Sequence, residues 1–142
     1  MVNFKIQELV SKEVYDLLGE NAWKLFDSAL LVDVDNLVSD LKKDLGCTAA
    51  TVNNWYWEGN FTQSGFREKS SDVGSTGSMH RVGGALDLKF SGITVADAYN
   101  YLIRNQDRYT SINRVESLED APTWLHVDNK NMNRRTIYVF RA

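Results

Sequence analysis

The feature that most constrains this chain is a change of hydrophobic period at Gly46. Before it, Val34, Leu37, Val38, Leu41 and Leu45 recur at helical spacing, and Gly46 stands where a helix would stop. Two shorter helices are expected upstream, in IQELVSKEVYDLLG and ENAWKLFDSALL. After it, AATVNNWYW is β-branched and aromatic. ALDLKF sets Leu86, Leu88 and Phe90 in alternation, as a half-buried strand should. One helix returns, with Thr94 as N-cap, Asp97 in its first turn and an apolar face of Val95, Ala98, Tyr99, Leu102 and Ile103. The tail reads as strands: YTSINRVES, a turn around Glu119 to Pro122, TWLHVDN and RRTIYVFRA. This order predicts an α+β fold, an antiparallel sheet with helices on one side. A single domain is expected over 1–142, with a helical layer at 1–46 and the sheet and any site at 48–142. The helical layer is assigned packing and no chemistry.

Composition narrows the function. A hydrophobic content of 43% fills one core in a chain of 142 residues, which argues against disorder. A net charge of -3 speaks against a nucleic-acid coat or a polybasic membrane patch, although a local basic groove is compatible with it. The N-terminal MVNFKIQELVSKEVYD is amphipathic and charged, unlike a signal peptide, and no stretch is long enough to span a bilayer. The expectation is a soluble protein made in the cytoplasm. The one cysteine, Cys47, reads as a small buried thiol.

Between Thr62 and Gly84 runs a long Ser- and Gly-rich stretch, the form of a functional loop rather than a linker. It ends in Ser78-Met79-His80-Arg81-Val82-Gly83-Gly84-Ala85-Leu86-Asp87. A catalytic zinc takes about three protein ligands and leaves one position open. His80 in the loop and Asp87 on the following strand supply two, Gly83 and Gly84 allow the turn between them, and Ala85 leaves room beside Asp87. The only other histidine is His126, and alternation puts Trp124, His126 and Asp128 on one strand face. His80, Asp87 and His126 are therefore a candidate open metal site.

Ser78, His80, Gly83, Ala85 and Asp87 resemble, at every defined position, the S-x-H-x-x-G-x-A-x-D motif of the zinc D-Ala-D-Ala carboxypeptidases and phage L-alanyl-D-glutamate endopeptidases. Five specified residues in such a window arise by chance on the order of once in ten thousand chains of this length. Ser64-Gly65-Phe66-Arg67 is similar to the family's S-G-[FY]-R segment, and Trp124-x-His126-x-Asp128 to its W-x-H-x-D element. The resemblance implies a hedgehog/D,D-peptidase-like fold holding Zn2+ through His80, Asp87 and His126. It also implies hydrolysis of a peptide bond in peptidoglycan stem peptides. It assigns Arg67 to the substrate or the developing oxyanion and Ser78 to support of the ligand loop. Trp124 is expected to border the substrate site because it shares the face of His126, and Asp128 to orient His126 or a water. The expected partner is a stem peptide bound by a monomer, with no nucleic acid and no stable membrane association. A single-domain phage lysis enzyme or virion-associated peptidase fits this description. The plainer reading of Arg67 is a surface salt bridge, and that of Ser78 a loop turn.

One position departs from the family pattern. Many members carry Glu or Asp three residues before the last histidine ligand as general base, and Thr123 stands there in this chain. A hydroxyl is far too weak a base near neutral pH. Glu116, Glu119, Asp120 and Asp128 are the alternatives, and Glu116 is the choice. If 112–117 and 123–128 form a hairpin turning near Asp120 and Ala121, Glu116 lies roughly opposite His126. The competing reading is a catalytically inactive structural or wall-binding module that keeps the fold and metal.

Overall fold

The computed structural model describes residues 1–142 and contains three α-helices and five strands. The helices are α1 (Lys12–Leu18), α2 (Ser28–Leu45) and α3 (Val95–Arg104). The strands are β1 (Ala49–Thr51), β2 (Ala85–Ser91), β3 (Arg114–Glu116), β4 (Leu125–Asp128) and β5 (Tyr138–Phe140). Local capping decides most boundaries. The Asp27 carboxylate accepts from the Leu30 amide at 2.8 Å and opens α2, which closes on left-handed Gly46. Thr94 and Asp97 form a reciprocal capping box at the start of α3.

The two short upstream helices are more broken than their periodicity predicts. Ser11 caps α1 and so separates it from a 3-10 turn at Ile6–Glu8. The segment 20–31 divides between a 3-10 helix at Gly19–Leu25 and the first turn of α2, because Asp27 starts a new helix inside it. AATVNNWYW keeps only the short β1 and then turns into a 3-10 helix at Trp55–Trp57.

The sheet runs in the order β1-β2-β4-β3-β5. β1–β2, β2–β4 and β4–β3 are antiparallel, but β5 lies parallel to β3, so the sheet is mixed rather than antiparallel as the sequence suggests. The cause is occupancy. β4 is already flanked by β2 and β3, so the chain that reverses after Asp128 cannot pair with it and settles on the outer edge of β3, which runs the same way.

Alternation then gives the sheet two chemically different faces. Leu86, Leu88, Val115, Leu125 and Val127 join Leu30, Leu37, Val38, Leu41 and Leu102 of the helices in one buried core. The intervening residues of β2, β3 and β4 carry the polar groups: Asp87, Lys89, Arg114, Glu116, His126 and Asp128. Cys47 is buried at the end of α2 and has no disulfide partner. No helix is long and apolar enough to cross a membrane.

Candidate metal centre

Register builds most of the site. Asp87 of β2 and His126 of β4 are direct cross-strand partners. β3 pairs with β4 through Arg114↔Asp128 and Val115↔Val127, and continuing that register sets Glu116 opposite His126. Three adjacent strands thus line up Asp87, His126 and Glu116 in one row across the polar face.

His80 comes from outside the sheet. It lies in a 3-10 turn, Met79–Val82, whose N-cap Ser78 accepts through Oγ from the His80 amide at 3.4 Å. The turn closes on Gly83 at φ 69, where an added Cβ would sit 1.8 Å from the Leu25 carbonyl oxygen. The Asp27 amide donates to the Gly83 carbonyl at 3.1 Å, and the Phe66 amide to that of Leu9 at 2.8 Å. The N-terminal helical region therefore braces the loop from both ends, a role beyond the packing assigned to it. Inside the loop, the Arg81 guanidinium donates to the carbonyls of Glu68, Lys69, Ser71 and Ser75 at 2.6–3.2 Å. One side chain thus gathers a segment that has no strand of its own.

The donor atoms converge. His80 Nε2 is 3.3 Å from His126 Nδ1 and 3.3 Å from Asp87 Oδ1, and the last two are 2.7 Å apart. Tetrahedral N/O ligands at bond lengths of about 2.0–2.1 Å lie roughly 3.3 Å from one another. Two of the three spacings fit that figure, and the third is contracted by a hydrogen bond. The side chains of His80, Asp87 and His126 are only 2%, 12% and 11% exposed. The group is a buried His-Asp-His set that could hold a metal ion.

Tautomers are held from behind. His80 Nδ1 donates to the Gly65 carbonyl at 2.7 Å, which leaves the Nε2 lone pair facing the other two ligands. His126 Nε2 donates to Asp128 Oδ2 at 3.1 Å, which directs Nδ1 inward. Asp128 is fully buried and is itself gripped by Arg114, whose Nε and Nη2 donate to it at 2.6–3.0 Å. Burial disfavours the charged form of His126, but the hydrogen bonds to Asp128 and Asp87 outweigh it and push its pKa up to about 9. Burial likewise favours the neutral form of Asp87, yet the hydrogen bonds from His126 and His80 hold its carboxyl far below the usual range.

The other residues singled out in the sequence divide clearly. Ser78, Arg67, Glu116 and Trp124 line the cleft around the triad. The Arg67 Nη2 donates to Asp87 Oδ2 at 3.1 Å and its Nε to the Gln63 carbonyl at 2.6 Å, with the side chain 12% exposed. Its salt bridge is therefore a sheltered one, made to a candidate ligand. Burial raises the Glu116 pKa, with His126 opposing and Asp87 reinforcing the shift. Thr123 is exposed. Glu119 and Asp120 form ion pairs with Arg141 near the surface. Trp55 donates its indole N–H to the Val10 carbonyl, and Tyr56 and Trp57 are exposed, so none of the three borders the triad. Arg134 and Arg135 are exposed just before β5.

Phe140 and Arg114 carry parts that the sequence reading did not assign. The Phe140 ring packs edge-on to His126 at 5.4 Å, and the Arg114 guanidinium lies 4.3 Å from the centre of that ring. Phe140 reaches the site only through the parallel pairing of β5, and no local pattern marks it. Arg114 was legible in principle as a basic residue on a strand that also carries Glu116. Comparison with protein-family models, curated proteins and solved structures returns no match.

Proposed function

We propose that this protein is a zinc-dependent peptidase that cuts a peptide bond in bacterial peptidoglycan stem peptides. The observation that carries the reading is the row Asp87–His126–Glu116 beside His80. It joins a metal-binding set to a carboxylate of raised pKa in one cleft. The resemblance of segments 64–67, 78–87 and 124–128 to the zinc carboxypeptidases and endopeptidases supplies the substrate class and the choice of zinc.

A bound Zn2+ would act as a Lewis acid and lower the pKa of water at the site. The chain's own residues do the rest. Glu116 accepts the proton of the attacking water and returns it to the leaving amine, and partial burial keeps its basicity closer to that task than an exposed carboxylate's. Arg67 holds Asp87 in place and presents positive charge at the cleft wall, where it steadies the oxyanion. Arg114 and Asp128 keep His126 in a single orientation.

Thr123 favours a second reading, an inactive module that keeps the fold and the metal. Glu116 weighs against it, as the one carboxylate side chain besides Asp87 that lines the triad cleft. Purified peptidoglycan incubated with the metal-loaded protein should yield new amine ends, and a chelator should abolish them. Failure on every wall type tested sinks the enzyme and leaves the module. Two histidines and one carboxylate also suit Fe(II), so elemental analysis of the purified protein must find zinc for the metal assignment to stand.

A further inference from the structure

The polar face of β2 continues past the triad. Lys89 lies two residues beyond Asp87, so alternation returns it to the same face. Its ammonium donates to Ser64 Oγ at 2.7 Å, reaches the Val52 carbonyl at 3.5 Å and sits 4.4 Å from the centre of the Phe61 ring. No carboxylate lies within ion-pair distance of it, in a chain with 19 acidic residues against 16 basic ones. The carboxylate whose charge reaches it is Asp87, which lies beyond ion-pair distance and is already bonded to Arg67 and His126. The buried ammonium is therefore only partly compensated within the chain, and a ligand anion would complete it. Lysine has three N–H donors, and its protein partners occupy two of them, one only weakly.

The surroundings indicate where that ligand would come from. Lys89 lines a groove with Phe61, Gln63, Ser64, Arg67 and Trp124. That groove and the triad cleft share Arg67, Asp87 and Trp124 as walls, so a chain crossing the metal centre runs on into it. Arg67 is already committed to Asp87 and Gln63. With the remaining Arg67 donors directed at the oxyanion, Lys89 is the cation that faces the groove for a carboxylate.

We propose that Lys89 binds a carboxylate of the peptide substrate, close to the scissile bond, with Phe61 and Trp124 as the apolar walls of that subsite. The proposal rests on the peptidase reading. A stem peptide offers two such groups, its C-terminal carboxylate and the free carboxylate of its D-Glu, and the chemistry that Lys89 recognises is common to both.

The test uses the metal-loaded full chain carrying Glu116→Gln, to suppress turnover, and the peptide L-Ala-D-Glu-L-Lys-D-Ala-D-Ala. Calorimetry compares the free acid, the C-terminal amide and the form amidated at the free D-Glu carboxylate. One amidation, and not the other, should weaken binding about tenfold, as expected for a lost charge-assisted hydrogen bond. Adding Lys89→Met should weaken the free acid to the same degree and remove the penalty of that amidation, and Lys89→Arg should restore most of it. Equal losses for acid and amide on Lys89→Met, or no loss, overturn the assignment. So does indifference of the Lys89-bearing protein to both amidations, which needs no Lys89 variant. If the unsubstituted protein cuts peptidoglycan while binding ignores amidation, only the role of Lys89 falls. If it neither cuts peptidoglycan nor binds any of the peptides, the peptidase reading falls with it.

Discussion

His126 has both ring nitrogens hydrogen-bonded to carboxylates, Nδ1 to Asp87 and Nε2 to Asp128, which describes an imidazolium. A metal can bind at Nδ1 only after that proton leaves. Metal uptake between pH 7 and 8 should therefore release about one proton per ion from His126, beyond any released by water at the site, and that share should fade as the pH passes about 9. Calorimetry in buffers of different ionisation enthalpy measures it; heats independent of buffer would contradict the assignment. The same shift acts on the metal-free fold. The folded pKa of about 9 stands above the ordinary 6.5, so this contribution to stability is complete below pH 6.5 and is lost as the pH rises toward 9. Denaturant titrations of the chelated protein should follow that fall, while the metal-loaded protein should not. Also at this scale, Glu116→Gln should lower turnover about 10²–10⁴-fold with metal content unchanged. His80→Ala should reduce bound metal from about one per chain to background. Near-normal turnover of Glu116→Gln would move the base elsewhere.

The elements that carry these residues are held by two devices, and each can be cut separately. Arg114 neutralises the buried Asp128 beneath His126. Arg114→Met leaves that carboxylate with His126 as its one charged partner and should cost about 1.5–3 kcal/mol of stability, read from chemical denaturation of the metal-free protein. Arg81 instead gathers four carbonyls of the loop ahead of His80. Arg81→Ala should leave the core intact but speed proteolysis within 68–76 and weaken metal binding, because His80 then pays for ordering its own loop. Gly83→Ala should act more severely, since its Cβ would meet the Leu25 carbonyl at a left-handed φ. The Ser78-to-Asp87 motif was legible because its spacing is local. The bracing of its loop by Leu9, Leu25 and Asp27 was not, because those contacts join residues far apart in the chain.

Across the whole molecule, the helical core and the candidate metal site lie on opposite faces of one sheet and depend on each other unequally. The core is continuous and apolar without any ion. Chelation should therefore leave the far-ultraviolet circular dichroism nearly unchanged while lowering Tm by several degrees. A hundredfold excess of free metal over its Kd corresponds to about 2.7 kcal/mol. Collapse of the helical signal on chelation would show that the site holds the fold together.

Period and capping determined which segments became α2, α3 and β2, and alternation set Asp87 and His126 on polar faces, because these properties depend on neighbours a few residues away. Spacing within one motif, together with the scarcity of histidine, was enough to nominate His80, Asp87 and His126. Pairing was decided only in three dimensions. The direct Asp87–His126 register, the place of Glu116 beside it, the parallel return of β5 that brings Phe140 to the site, and the groove that gives Lys89 a task all depend on which strand edges remain open once the others have paired.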